Sequence, residues 1–335
     1  RLPMAGRWCN FPFHERAVVG SVVLRSRRMR PQDRPHVSAA PESAAYDLPL
    51  YVEQYGEGDR QIMLLHGFAA NSCTWRSWIG ALAKEHRVWS LELKGHGSAP
   101  APPDDLYSPH DHADLVHRLI VQEDLRELTL VGHSMGGGIA LLVALQLLEE
   151  ERLERLVLVS SAAYPQRLPP FVGLAGRGRL SEWGLRLFPK RLLIRRVLRS
   201  VVFDRDAVTE AQVTAYAEPF YSKAHRTALI KTAVGIVPPD LKKFTSRIPE
   251  IDVATLLLWG KHDRVVPLDV AERLLAALPR AQLEVMEDCG HVPPEEFPKE
   301  SLEIVLKFLR SEEEEEKKQE SPQNPGTQAP AEADT

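Results

Sequence analysis

The sequence predicts an α/β fold with a mostly parallel central sheet flanked by helices on both faces. Short apolar runs with the length of strands recur along the chain, and helical patterns lie between most of them. These runs span residues 62–65, 88–93, 128–131, 156–159, 255–259 and 282–286. An earlier run, residues 50–55, predicts an antiparallel strand at the edge of the sheet.

Two helical patterns fit a sheet that is covered on both faces. Residues 139–148 are almost all apolar, as expected for a helix buried beneath a sheet. Near the end of the chain, Leu302, Val305, Leu306 and Leu309 fall on one face of a helix. Parallel strands usually occur in sheets whose two faces are both covered, so the two patterns support the same fold class.

One long region interrupts the alternation of strands and helices. Residues 164–247 contain no convincing strand but several amphipathic helical stretches. We predict a helical cap here, inserted between two strands of a core that comprises residues 43–163 and 248–310. Ligands of open α/β sheets bind beyond the carboxyl ends of the strands, so an insertion at that edge would cover the site.

The two ends of the sequence differ from the rest in composition. Residues 1–42 are basic, contain several prolines and lack periodicity, which predicts a disordered leader. Residues 312–316 are all glutamate, and the last residues are rich in Pro, Gln and Ala. Such segments bury too little apolar surface to offset the entropy lost on ordering, so we expect a disordered acidic tail over residues 311–335.

The composition excludes several classes of protein. A hydrophobic content of 44% and a charged content of 26% are those of an ordinary globular chain, and the net charge of -4 gives no reason to expect nucleic acid as a partner. Three scattered cysteines are too few for a disulfide framework or a zinc site. No apolar run approaches the roughly 18 residues of a membrane span. We therefore expect a cytoplasmic location, and the oligomeric state stays open.

A basic amphipathic helix is predicted within the cap at residues 189–202. Its basic positions, Lys190, Arg191, Arg195, Arg196 and Arg199, lie opposite an apolar face. One interpretation is a cap helix that packs its apolar face over the pocket and exposes its charges to water. The other is weak association with an anionic membrane surface, because basic amphipathic helices bind such interfaces.

The motif that points to chemistry is the segment 130–138, which reads LVGHSMGGG. It places Ser134 between Gly132 and Gly136, where an apolar run meets a helical pattern. This G-x-S-x-G spacing is typical of a nucleophile elbow, a sharp turn from strand to helix that exposes the serine hydroxyl.

A serine nucleophile needs a base and a carboxylate that orients the base, in the chain order Ser, Asp or Glu, His. Asp263 follows the run 255–259, and His291 follows the run 282–286, so both lie beyond the carboxyl ends of predicted strands. Two other acids are disfavoured: Asp288 lies too near His291 in the same loop, and Asp252 precedes its strand. We predict a Ser134–Asp263–His291 triad.

Acyl transfer also needs donors for the oxyanion that develops on the carbonyl oxygen. The backbone N–H of Met135, at the start of the predicted helix, is one candidate. The backbone N–H of Phe68 is the other, in the loop that follows the run 62–65, where Gly67 permits a close approach. We interpret the neighbouring His66 as a structural residue that hydrogen-bonds within this loop.

At this point the sequence resembles the α/β-hydrolase superfamily, in its capped branch with an H-G-x oxyanion loop. The resemblance covers residues 45–310 and is carried by the segments 66–68, 94–98, 132–137, 260–263 and 290–291. It implies Ser134 as nucleophile, Asp263 as acid and His291 as base, with no cofactor and no metal. Serine at the elbow differs from the branches similar to epoxide hydrolases, which have aspartate there.

The resemblance implies hydrolysis of a small apolar carboxylic ester, in the manner of an esterase or lipase, through an acyl-enzyme intermediate. Aromatic residues in the cap, Phe171, Trp183, Phe188, Tyr216 and Phe220, are consistent with an apolar pocket or with packing alone. Two alternatives remain open. One is C–C bond hydrolysis of the meta-cleavage type, although Val292 stands where such enzymes have tryptophan. The other is a non-catalytic binding protein with the hydrolase fold.

Overall fold

The structure is a computed structural model that describes residues 42–43, 47–177, 184 and 188–320, with side chains described for residues 47–177, 184 and 188–311. Three predicted features lie outside the described residues: residues 1–41 of the expected leader, residues 321–335 of the expected tail, and Trp183 of the cap.

The centre of the molecule is an eight-stranded sheet. Its strands are β1 (Glu42–Ser43), β2 (Tyr51–Tyr55), β3 (Gln61–Leu65), β4 (Arg87–Glu92), β5 (Leu128–His133), β6 (Leu153–Val159), β7 (Ala254–Gly260) and β8 (Ala281–Met286). They lie side by side in the order β1-β2-β4-β3-β5-β6-β7-β8. The strands from β3 to β8 run parallel, while β1 and β2 are antiparallel to their neighbours. The predicted fold class is thus confirmed.

Alternate residues of the central strands belong to two separate hydrophobic clusters, one on each face of the sheet. In β3, Met63 and Leu65 belong to one cluster and Ile62 and Leu64 to the other. This follows from the two-residue period of a strand, which points successive side chains to opposite faces. Because both faces are covered, the central strands are apolar at nearly every position.

Helices of the core lie along both faces of the sheet. They are α1 (Arg76–Leu82), α2 (Pro109–Gln122), α3 (Met135–Gln146), α9 (Leu268–Ala277), α10 (Pro293–Glu296) and α11 (Pro298–Glu320). The helices α4 to α8, within residues 170–247, lie between α3 and α9 and belong to the cap. In α3 nearly every residue is buried, as its apolar sequence predicts. In α11, Val305 and Leu309 pack on the opposite face of the sheet beside Trp78.

Between β6 and β7 the described chain is helical. The helices here are α4 (Pro170–Ala175), α5 (Lys190–Val201), α6 (Glu210–Ala217), α7 (Lys223–Gly235) and α8 (Leu241–Arg247). Ile194 of α5 and Leu229 of α7 pack with Ala70 and Phe68 of the loop after β3. The cap therefore rests on the edge of the core at which the parallel strands end.

Two elements differ from the sequence prediction. The strand expected at the sheet edge, β2, has a further short strand outside it, because residues 42–43 pair with residues 53–54. The expected disordered tail from residue 311 is helical as far as Glu320. Glutamate and lysine have high helix propensity, so this segment continues the turns of the preceding amphipathic helix without needing a core of its own.

Candidate active site

Ser134 occupies the sharp turn between β5 and α3. Its backbone has φ 54° and ψ −118°, a strained conformation for a residue with a side chain. The glycines near Ser134 are required because there is no room for a side chain at their positions. A Cβ on Gly132 would lie 2.4 Å from the carbonyl oxygen of Gly136, and one on Gly136 would lie 2.4 Å from that of His66. The elbow geometry expected from the sequence is present.

The three predicted triad residues form one hydrogen-bonded chain. The hydroxyl Oγ of Ser134 lies 2.9 Å from Nε2 of His291, and Nδ1 of His291 lies 2.8 Å from Oδ2 of Asp263. Asp263 and His291 are buried, and Ser134 is half-buried. With Nδ1 donating to the carboxylate, the unprotonated Nε2 is free to accept the serine proton.

The loop after β7 fixes the carboxylate of Asp263. Its second oxygen, Oδ1, accepts hydrogen bonds from the backbone N–H groups of Val265 (2.7 Å) and Val266 (2.9 Å), so Oδ2 is left for His291. The competing acids Asp288 and Asp252 are both exposed and belong to no such arrangement. Of these three acids, Asp263 is the one that contacts His291 in the structure.

The loop after β3 lies directly against the elbow. A Cβ built on Gly67 would lie 3.1 Å from Cβ of Ser134 and 3.1 Å from Nδ1 of His133. The two proposed oxyanion donors, the N–H groups of Phe68 and Met135, make no hydrogen bond within the part of the chain that the structure describes. Both residues line the same cavity as Ser134.

Buried histidines surround the site without forming part of the triad. Nδ1 of His66 donates to the carbonyl of Gly67 (2.8 Å), and its Nε2 accepts the N–H of Leu93 (3.1 Å). Burial lowers the pKa of His66 to about 3, so this ring stays neutral and supports the loop, in line with the expectation from the sequence.

His133, inside the elbow motif, was given no role by the sequence. Its Nε2 donates to the carbonyl oxygen of His291 (2.8 Å), and the two rings lie 4.8 Å apart. Burial lowers the pKa of His133 to about 3, with the nearby His291 adding to the shift. A neutral His133 therefore holds the backbone of His291 without placing a charge beside the triad.

Two acids that follow His291 in the chain were also missed. Glu296 accepts hydrogen bonds from three backbone N–H groups, those of Phe203, Gly290 and Val292. Glu295 accepts from the hydroxyl of Tyr216 and from Nε2 of Gln212, both on α6 of the cap. Burial raises the pKa of Glu295 above its usual value. The sequence pattern held no signal for the contacts with Phe203, Gln212 and Tyr216, because these donors lie 79 to 93 residues away in the chain.

Above Ser134 lies a cavity of about 690 Å³ between the core and the cap. Its described walls are mainly apolar, and four of the five cap aromatics named from the sequence contribute to them, namely Phe171, Phe188, Tyr216 and Phe220. Among the described lining residues, Arg196 is the one lysine or arginine and Glu295 the one carboxylate. The cavity therefore suits an uncharged, largely apolar molecule.

The basic face of α5 is partly neutralised by neighbouring acids. Arg191 and Arg195 both pair with Glu210 of α6, and Arg199 lies 3.8 Å from Asp206. The helix therefore presents fewer free charges than its sequence suggested. Within the described residues, no helix is both long and apolar enough to cross a bilayer, and no group of side chains is arranged to hold a metal ion.

The family model described as the alpha/beta hydrolase family matches residues 62–304. The chain belongs to the alpha/beta hydrolase family. The resemblance noted from the motifs is thereby confirmed, and the chain is a hydrolase by family.

Proteins similar to this alpha/beta hydrolase include hydrolases with different names. A 2-hydroxy-6-oxononadienedioate/2-hydroxy-6-oxononatrienedioate hydrolase of Escherichia coli O81 is 29% identical over 276 residues, which cover 80% of this chain and 93% of the relative. Among solved structures, the meta-cleavage product hydrolase of Pseudomonas fluorescens IP01 has a TM-score of 0.65 at 24% identity, over 78% of this chain and 95% of the other.

An esterase of Exiguobacterium antarcticum matches equally well, with a TM-score of 0.65 at 24% identity, over 78% of this chain and 95% of the esterase. At these identities the structural likeness establishes the shared fold. An assignment of this chain to ester or to C–C bond hydrolysis must therefore be argued from the residues of its own site.

Proposed function

We propose that this alpha/beta hydrolase cleaves carboxylic esters through an acyl-enzyme intermediate, with Ser134 as nucleophile, His291 as base and Asp263 as the orienting acid. The observation that carries the proposal is the continuous hydrogen-bonded chain Ser134–His291–Asp263. It lies beside an apolar cavity to which Ser134 is accessible.

In the first half of the reaction, Nε2 of His291 takes the proton of Ser134 as Oγ attacks the ester carbonyl. The negative charge that develops on the carbonyl oxygen would be stabilised by the N–H groups of Phe68 and Met135. His291 then passes its proton to the departing alcohol, and Asp263 stabilises the transient imidazolium.

In the second half, His291 takes a proton from water, which attacks the acyl group on Ser134. The same two N–H groups would stabilise the second oxyanion, and collapse of this intermediate releases the acid and restores the serine hydroxyl. The reaction needs no redox partner, because water supplies both the oxygen and the proton that appear in the products.

The test combines a covalent probe with a substrate. The full chain should react with a fluorophosphonate and hydrolyse aryl esters of apolar acids, and Ser134→Ala should abolish labelling and reduce turnover by at least about 10³-fold. The variant Ser161→Ala is a matched control, because Ser161 is a buried serine of the adjacent loop with no triad contact. Unchanged ester turnover in Ser134→Ala would overturn the proposal. A wild-type chain that neither reacts with the fluorophosphonate nor hydrolyses any ester would favour a non-catalytic role.

C–C bond hydrolysis is the second candidate, favoured by the similarity to the 2-hydroxy-6-oxononadienedioate/2-hydroxy-6-oxononatrienedioate hydrolase of Escherichia coli O81. A dianionic substrate of that kind would need cations, yet Arg196 is the one lysine or arginine that lines the described cavity, and Glu295 adds a carboxylate. Parallel assays with aryl esters and with a ring-cleavage dienoate should show larger kcat/KM for the esters. The opposite ranking would favour the C–C hydrolase.

Weak association of the cap with an anionic membrane surface is also proposed. Its support is a group of exposed apolar residues that line the cavity, Leu168, Leu174, Phe188 and Val237, together with Arg196 nearby. Sedimentation with anionic and neutral vesicles should show preferential binding to the anionic ones. The variant Leu174→Asp should weaken it, whereas Leu148→Asp, outside this group, should not. Equal and negligible binding to both vesicles would reject the association.

A further inference from the structure

The carboxylate of Glu296 lies where the catalytic loop meets the cap. Its Oε2 accepts the backbone N–H of Gly290 (3.0 Å) and that of Phe203 (2.7 Å), and its Oε1 accepts the N–H of Val292 (3.0 Å). Gly290 and Val292 are the two neighbours of His291, whereas Phe203 lies in the cap just after α5. The side chain of Glu296 therefore binds the backbone on both sides of His291 and also the backbone of a segment 93 residues away.

The backbone of His291 itself is held from two further directions. Its N–H donates to the carbonyl of Val201, the last residue of α5 (2.9 Å), and its carbonyl accepts Nε2 of His133 (2.8 Å). The contact with the cap is also tight, because a Cβ on Gly290 would lie 2.7 Å from both the nitrogen of Phe203 and the carbonyl oxygen of Val201. The residues that flank the imidazole thus have little freedom to shift separately from the cap segment 201–203.

We propose that Glu296 is a positioning residue that joins the cap segment 201–203 to the His291 loop, so that the base is correctly placed only while this segment is seated. The proposal rests on the proposed catalytic role of His291. Hydrogen bonds from N–H groups to a carboxylate are charge-assisted and about twice as strong as neutral ones, so three of them restrain the loop firmly. The ring of His291 must remain within hydrogen-bonding distance of both Ser134 and Asp263.

A purely local role for Glu296 would explain only part of this geometry. A carboxylate that served the turn around residues 290–296 alone would need the N–H groups of Gly290 and Val292 but not that of Phe203. The adjacent Glu295 offers a useful contrast, because it binds side chains of α6 and not the backbone beside His291. Loss of Glu295 should therefore act through the pocket wall and KM, and loss of Glu296 through kcat.

The first experiment compares two replacements of Glu296 in the full chain. The amide of Glu296→Gln retains one oxygen, so at least one of the three N–H groups would face an NH₂ group instead of an acceptor. We expect kcat to fall about tenfold in Glu296→Gln and about 10²-fold in Glu296→Ala, with KM little changed, because displacements approaching 1 Å cost about that much. Glu287→Gln is the control, since Glu287 is exposed and pairs with Lys261 instead.

The second experiment tests the hydrogen bond between Glu296 and the cap residue Phe203. Phe203→Pro removes the backbone N–H that donates a hydrogen bond to Glu296. Phe203→Ala keeps this N–H and loses only the ring that stacks on His262. We expect a lower kcat in the proline variant than in the alanine variant. Equal kcat values in the two variants, with both folded by thermal melting, would overturn the role of the cap segment.

A spectroscopic measurement separates this inference from the proposed chemistry. The proton between Nδ1 of His291 and Asp263 can be followed by NMR without any substrate. We expect its resonance to shift or to broaden by exchange in folded Glu296→Gln and to stay unchanged in Glu287→Gln. If wild-type protein fails to hydrolyse esters, the proposed function fails while this signal still tests positioning. An unchanged signal and wild-type kcat in Glu296→Gln would overturn the inference.

Discussion

The most direct test of the oxyanion loop is the substitution Gly67→Ala. The added methyl would lie 3.1 Å from Cβ of Ser134 and 3.1 Å from Nδ1 of His133, whereas ordinary contacts begin at 3.4 Å. The backbone of Gly67 is not in the left-handed region, so alanine can adopt its conformation. The effect of the substitution is therefore a displacement between the loop and the elbow rather than local backbone strain.

Neither neighbour of the new methyl can easily give way. Ser134 is held by the turn between β5 and α3, and the ring of His133 is held by its hydrogen bond to the carbonyl of His291 (2.8 Å). The loop that carries Phe68 would withdraw by a few tenths of an ångström. Complete loss of an oxyanion donor costs about 10²–10³-fold in rate, so partial withdrawal should cost about 10-fold to 10²-fold in kcat/KM. This corresponds to about 1.4–2.7 kcal/mol of transition-state stabilisation.

The assay measures kcat/KM for an aryl ester, the rate of fluorophosphonate labelling and the melting temperature. Gly80→Ala is the matched control, because a Cβ there meets nothing within 4 Å and alanine is favoured inside α1. It should keep wild-type activity. A folded Gly67→Ala variant with wild-type kcat/KM would refute the argument that the loop's close approach to Ser134 supports catalysis.

Three further predictions follow from the same structure. Asp263→Asn should lower kcat by about 10⁴-fold in ester assays while the melting curve is nearly retained, because an amide at Oδ2 would disfavour the tautomer that leaves Nε2 free; a loss below about tenfold would contradict this role. Burial lowers the pKa of His66 to about 3 and that of His96 to about 4, so the unfolded state binds more protons as the pH falls below about 6.5. The burial of each of these two histidines should lower the free energy of unfolding by about 2 kcal/mol between pH 6.5 and 5. Equal urea midpoints at pH 7 and pH 5 would argue against this loss of stability. Tyr216→Phe should lower the free energy of unfolding by about 1–3 kcal/mol, because Glu295 loses a buried donor; a melting temperature equal to wild type would count against that link.

The sequence by itself determined the fold class, the elbow and the order of the predicted triad. These features depend on short-range requirements that residues reveal directly. Glycines must flank Ser134 because any Cβ would collide with neighbouring backbone, and the central strands are apolar because both faces of the sheet are covered. Asp263 and His291 could be placed because each follows a strand whose end reaches the same edge.

Only the tertiary structure decided what surrounds those residues. Glu296 has no signature in the sequence, because its donors come from its own turn and from Phe203, 93 residues away. Nothing in the sequence pattern indicated that any charge of α5 is paired, but in the structure Glu210 of the next helix pairs with both Arg191 and Arg195. Such contacts depend on how distant segments pack, and a linear pattern of apolar and charged residues carries no information about that packing.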